Sequence, residues 1–173
     1  MKKTLITLTL VASGVLATSV YATDGTVNFV GEITNSACNV DSTAKNLQVT
    51  LGKVAATSFS GAGSYASATQ FKLVLKDCPT GARTATVKFD GTSVDNDNSV
   101  LALTPGGASG VGIELSDASQ RVVNLFTNSS PYALTTGVDT KTDLNFTARY
   151  KALSTDIKPG VANASAQFSI IYN

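Results

Sequence analysis

The last twelve residues, ANASAQFSIIYN, alternate in character. Ala162, Ala164, Ala166, Phe168, Ile170 and Tyr172 are apolar. Asn163, Ser165, Gln167, Ser169 and Asn173 are polar, and Ile171 is the one break. Period-two alternation belongs to a strand with one buried face. Near the other end, GTVNFVGEIT reads the same way. A strand with an apolar face at each extreme of a chain must find cover for both, and this requirement limits the possible folds more than any other feature.

The chain opens with Met1, Lys2 and Lys3, an apolar stretch from Leu5 to Leu16, and then SVYA. A charged start, an apolar middle, and Val20 and Ala22 in the positions read by a signal peptidase predict an export leader, residues 1–22, cut after Ala22. The rival reading is a membrane anchor. The stretch is broken by Thr and Ser and is shorter than the roughly 20 apolar residues of a spanning helix. The expected mature chain, 23–173, is one domain's worth. Loss of Lys2 and Lys3 takes the basic count from 13 to 11 against 12 acids, so net charge moves from +1 to −1. That balance offers no basic footprint for nucleic acid and no polybasic membrane contact. Two cysteines, Cys38 and Cys78, in an exported chain read as a disulfide.

Between the ends, short alternating runs follow one another. They are Leu47–Leu51, Phe71–Lys76, Ala85–Asp90, Val111–Ser116 and Leu144–Lys151. Each has a dry and a wet face, as in antiparallel sheets packed on one side. The connections SFSGAGSYAS, DGTSVDNDNS, TPGGASG and DIKPGVAN carry turn chemistry. No window has a long helical period. An all-β sandwich is the expected fold, with no internal repeat and no linker.

Chemistry is hard to place on such a chain. With no histidine, a Ser–His–Asp or Cys–His arrangement cannot be built. Asp90, Asp95 and Asp97 invite a calcium reading, but an EF-hand loop starting at Asp95 puts Gly106 where the bidentate Glu belongs, so a solvated turn is expected. TPGGASG lacks the Lys-Ser/Thr of a phosphate loop and reads as a hairpin connection. The sequons at Asn128, Asn145 and Asn163 follow from composition. No catalytic residue, cofactor or metal ligand stands out, and the two ends remain the distinctive feature.

At those ends the chain resembles a known family. GTVNFVGEITNSACNV resembles the start of a mature chaperone–usher pilin of the type 1 fimbrial major-subunit group, with alternating apolar residues, a Gly and the first cysteine. LKDC matches the second cysteine, NFTARYKA the penultimate strand, and PGVANASAQFSIIYN the C-terminal motif with Gly160 and the penultimate Tyr172. The resemblance implies an incomplete immunoglobulin-like sandwich that lacks its last strand and is completed by donor-strand exchange.

It also implies three segments: leader 1–22, donor extension 23–36 and pilin domain 37–173. Val27, Phe29, Gly31 and Ile33 would face the neighbour's groove, with Gly31 over a shallow part of it. Gly160, Ala164, Ala166, Phe168, Ile170 and Tyr172 would border the acceptor groove. The implied partners are copies of itself or other pilins, a periplasmic chaperone and an outer-membrane usher, with no nucleic acid, small-molecule substrate or cofactor. The implied setting is export through the periplasm to a surface fimbrium serving adhesion. Two other readings are a minor linker or terminating subunit of the same system, and a free secreted carbohydrate-binding sandwich.

Overall fold

The computed structural model describes residues 25–31 and 37–173. The leader, its cleavage point and Ile33 lie outside the described residues. Residues 25–31 fall in a unit separate from residues 37–173. They belong to no strand, and Val27, Phe29 and Val30 are exposed.

The regular structure of the second unit is almost all strand. In chain order come β1 (Asn39–Val40), a one-turn helix α1 (Ser42–Lys45), a 3-10 turn (Ala56–Ser58), β2 (Tyr65–Lys76), β3 (Thr84–Gly91), β4 (Ser93–Val94), β5 (Asp97–Leu101), β6 (Val111–Asp117), β7 (Tyr132–Ala133), β8 (Lys141–Ala152) and β9 (Ala166–Tyr172). They make two sheets, one ordered β1-β2-β8-β6-β5-β4 and the other β7-β3-β9. All the strand pairs are antiparallel.

The alternation in the sequence explains the packing. In the β2–β8 pair, Phe71 stands opposite Phe146 and Leu73 opposite Leu144. Lys72, on the other face, meets Asp143 at 2.6 Å. Leu73, Leu75, Leu144 and Phe146 are buried, as are Ile113 and Leu115 of β6. From the smaller sheet, Ala85, Val87 and Phe89 complete the core. Phe89 meets Phe146 edge-on at 5.1 Å, and Phe71 stacks on Phe146 at 5.6 Å. Offset and edge-on aromatic pairs of this kind add about 0.5–1.5 kcal/mol beyond burial.

A sandwich has two seams where the sheets meet, and here they differ. Residues 121–129 cross one seam. The Val123 N–H donates to Leu115 and the Leu125 N–H to Asn98 in the larger sheet, and the Phe126 and Ser129 N–H groups donate to Phe89 and Val87 in the smaller one. Val123 and Leu125 are buried by this crossing. No strand crosses the other seam among the described residues.

Candidate functional site

The uncrossed seam is a long groove. Its rims are residues 44–59 and 157–168. One half holds about 650 Å³ and lies between Ala44–Leu51 and Ala164–Phe168, floored by Phe71, Leu73 and Leu115. The other holds about 560 Å³ and lies between Gly52–Phe59 and Ile157–Asn163, with Tyr150 at its base. The two rims therefore run in opposite directions. A strand laid between them must be antiparallel to one and parallel to the other.

Main-chain groups along both rims lack partners. β9 is hydrogen-bonded to β3 along one edge, from Gly91↔Ala166 to Ala85↔Tyr172. Upstream, residues 158–163 continue that edge against the β5–β6 loop. There Thr104 N–H donates to Asn163 at 2.7 Å, Ala108 N–H to Val161 at 2.8 Å, and Ser109 and Lys158 exchange both bonds. The C-terminal segment thus passes from the larger sheet to the smaller one. Its other edge, facing the groove, pairs with no strand among the described residues.

Across the groove, residues 47–55 form no strand, contrary to the expectation from Leu47, Val49 and Leu51. None of their N–H groups donates to the main chain among the described residues. The alternation is present, and Val49 and Leu51 do pack on the core, but a strand is defined by a neighbour and this one has none. Gly52, at φ +75°, breaks the run, so Val54 and Ala56 take over the inward positions. β9 is also shorter than the alternation suggests, because 162–165 pair with a loop.

Unpaired main chain beside apolar surface is a template for another strand. The side chains agree. Ala162, Ala164, Ala166 and Phe168 pack against the core yet remain only partly buried, as do Val49, Leu51, Val54, Phe59 and Phe71 across from them.

Four of the six C-terminal residues named from the sequence lie along this rim. Gly160 lines the half nearer Tyr150, and Ala164, Ala166 and Phe168 line the other. Ile170 and Tyr172 pack on the core beyond the groove lining. The Tyr172 hydroxyl stands 3.5 Å from the Cys38 carbonyl, beside the Cys38–Cys78 disulfide. Burial raises the Tyr172 pKa, against the smaller opposing effect of its hydrogen bond to the Cys38 carbonyl.

Gly107, read in the sequence only as a turn residue, has a larger role. A β-carbon there would lie 1.9 Å from the Val161 carbonyl oxygen, and one on Gly160 would lie 2.6 Å from the Ala108 nitrogen. Two glycines let the loop and the rim meet backbone to backbone.

The ionisable groups with displaced pKa values stand elsewhere. Glu114 on β6 is 1 % exposed. Burial pushes its carboxyl up, but Arg149 at 2.7 Å and Lys151 at 3.0 Å outweigh that and hold it below the ordinary range. Lys151 is raised in turn by its bond to Glu114. Arg149 also lies 3.9 Å over the Tyr65 ring. Asp41, at the start of α1, is lowered by Lys76 and by the Thr43 hydroxyl and N–H. Asp90 lies on β3, while Asp95 and Asp97 flank the β4–β5 turn, where Asp97 accepts the Ser99 N–H. Among the described residues no His, Cys, Asp or Glu cluster is arranged to hold a metal ion. What the arrangement of the seam offers is strand addition.

Comparison with known proteins agrees with this geometry. The sequence model of the family described as Fimbrial protein matches residues 27–173. A type-1 fimbrial protein subunit of Serratia marcescens is 32% identical, with 99% of each chain covered. The type-1 fimbrial protein A chain of Escherichia coli K12 is 37% identical over 95% of this chain and 92% of its own. Among solved structures, a Burkholderia pseudomallei antigen and type I fimbria protein is 38% identical and superposes with a TM-score of 0.62, covering 80% of this chain and 91% of that one. The P pilus rod subunit PapA shares the fold at 21% identity and a TM-score of 0.67, covering 79% of this chain and 99% of that one.

Proposed function

The chain belongs to the fimbrial protein family and is a structural subunit of an extracellular fimbrium, and we propose that it polymerises by strand exchange through its open seam. The extension of one copy, with Val27, Phe29, Gly31 and Ile33 inward, lies between residues 44–59 and β9 of the next. A periplasmic chaperone occupies the same seam beforehand, and an outer-membrane usher receives the exchange. Donor-strand complementation between chaperone and pilin is a known mode of strand addition.

The carrying observation is the seam itself, which has unpaired main chain on both rims and half-buried apolar side chains between them. The extension supports the reading from the other side, since Val27 is 75% exposed and Phe29 93%. Burying side chains of this size contributes about 1.5–3 kcal/mol each. One donor strand and one acceptor groove per copy make a head-to-tail contact, which gives an open filament where the rotation does not close.

The test is assembly by a chain carrying Val27→Asp and Phe29→Asp. Such subunits should fold and bind the chaperone as the wild type does, yet form no fibres under the electron microscope. Fibres at wild-type yield would remove the extension from the mechanism.

A further inference from the structure

The charged residues of the seam are all of one sign. Its lining contains Lys45 in one half and Lys53 and Lys158 in the other, with no acidic side chain in either. All three lysines are exposed, and none forms an ion pair among the described residues. The extension is the complement. From Thr23 to Ser36 its charged residues are Asp24 and Glu32, and it has no Lys or Arg. In a chain of 13 basic and 12 acidic residues this separation is not dictated by composition.

The placement also fits. Asp24 and Glu32 are eight residues apart, roughly 26 Å in an extended inserted strand, and Lys45 and Lys53 lie in opposite halves of the groove. The ends differ in strength, because Lys53 and Lys158 line one half, one on each rim, and Lys45 is, among the described residues, the one charged residue lining the other. Cleavage after Ala22 places an α-ammonium beside Asp24, weakening that end of the strand, so Glu32 is its stronger anion.

We propose that Lys53 and Lys158 form a charge lock for Glu32 of the incoming copy, fixing the register and direction of the inserted strand. With Glu32 at their end, the strand runs antiparallel to β9 and parallel to residues 44–59. Glu32 alternates with Gly31 and Ile33, so its side chain points out of the groove toward the rims while its neighbours point in. Apolar contacts hold the strand, and a slip of two residues keeps them on the same face. The charges distinguish between such registers. The lock rests on the strand-exchange reading above.

In-vitro assembly of the full mature chain, followed by light scattering, tests it. Glu32→Lys, and separately Lys53→Glu with Lys158→Glu, should each slow assembly about two- to fivefold, the range of exposed ion pairs. The chain carrying all three changes should return to within about twofold of wild type, since the pairing is restored with signs reversed. High salt should slow the wild type and speed Glu32→Lys, whose repulsion from Lys53 and Lys158 it screens. Lys53→Gln with Lys158→Gln guards against misfolding of the acidic variant, and should unfold with the wild type while assembling more slowly.

Phe29→Asp separates the two levels of argument. If it blocks assembly while the charge variants behave as wild type, or the triple variant gains nothing over its parents, the lock is wrong and strand exchange stands. If Phe29→Asp assembles normally, both fall.

Discussion

Three residues carry distinct constraints. At Gly107 even a methyl group would strike the Val161 carbonyl. Gly107→Val should therefore push the C-terminal segment off the β5–β6 loop and cost about 1–3 kcal/mol, measurable as a lower thermal midpoint. Gly31 is different, since a β-carbon there meets nothing within 4 Å. Gly31→Leu should leave stability unchanged and reduce subunit joining, because its bulk is felt only in a neighbour's shallow groove. Fibres at wild-type yield by electron microscopy would refute that placement. Glu114 sets a pH dependence. Its folded pKa is depressed, chiefly because Arg149 and Lys151 outweigh the upward push of burial. Its contribution is therefore full above the ordinary carboxylate pKa of about 4.3 and is lost as pH falls through the lower folded value. Glu114→Gln should cost about 1–3 kcal/mol at neutral pH, leaving two cations without their buried partner. It should also make the acid limb of a stability–pH curve shallower than in the wild type.

Among the elements, β1 and the turn after β2 are joined by the Cys38–Cys78 bond, whose partners are 40 residues apart in sequence. Closing such a loop contributes about 4 kcal/mol in the chain-entropy account. Cys38→Ser should lose a large share of the domain's stability and sharply reduce fibre yield. Intact mass with and without reductant should show the bond in the exported protein. This bond and the long strands β2, β3, β6, β8 and β9 could be read in the sequence, because alternation marks an apolar face; in β6 the polar face expected to be wet is buried too, with Glu114 and Ser116 covered. The rim at residues 47–55 was read only in part. Alternation announces a dry face but not a partner, and this segment has the first without the second. The crossing at residues 121–129 was illegible, since its hydrogen bonds go to two sheets in turn and no single period results. Of the residues lining the candidate groove, Gly160, Ala164, Ala166 and Phe168 were named from the sequence, while Gly107 and the lysine lining depend on loops whose approach no local pattern encodes.

For the whole molecule, the seam implies that the fold lacks one strand and that the chain carries a strand of the right kind in the wrong place. If so, moving that strand should complete the sandwich within one chain. Deleting Thr23–Ser36 and joining the same segment after Asn173 through a short turn such as Asp-Asn-Lys-Gln brings it into the groove antiparallel to β9. A tight hairpin suits that direction. The order of charges is also right, because Glu32 then arrives at the Lys53 and Lys158 end. Linking replaces a bimolecular encounter with an intramolecular one at an effective concentration of order mM. The rearranged chain should be a monomer that no longer polymerises, with an unfolding midpoint in guanidinium well above that of the native-order chain. Carrying Val27→Asp and Phe29→Asp in the moved strand should abolish the gain, because two charges would be pressed onto the apolar floor of the groove. Sedimentation and denaturant unfolding of the three chains decide the matter. A native-order chain that is already a stable monomer, matched by a rearranged chain no more stable, would mean that the seam needs no strand and that the half-buried residues along it are the finished surface of the protein.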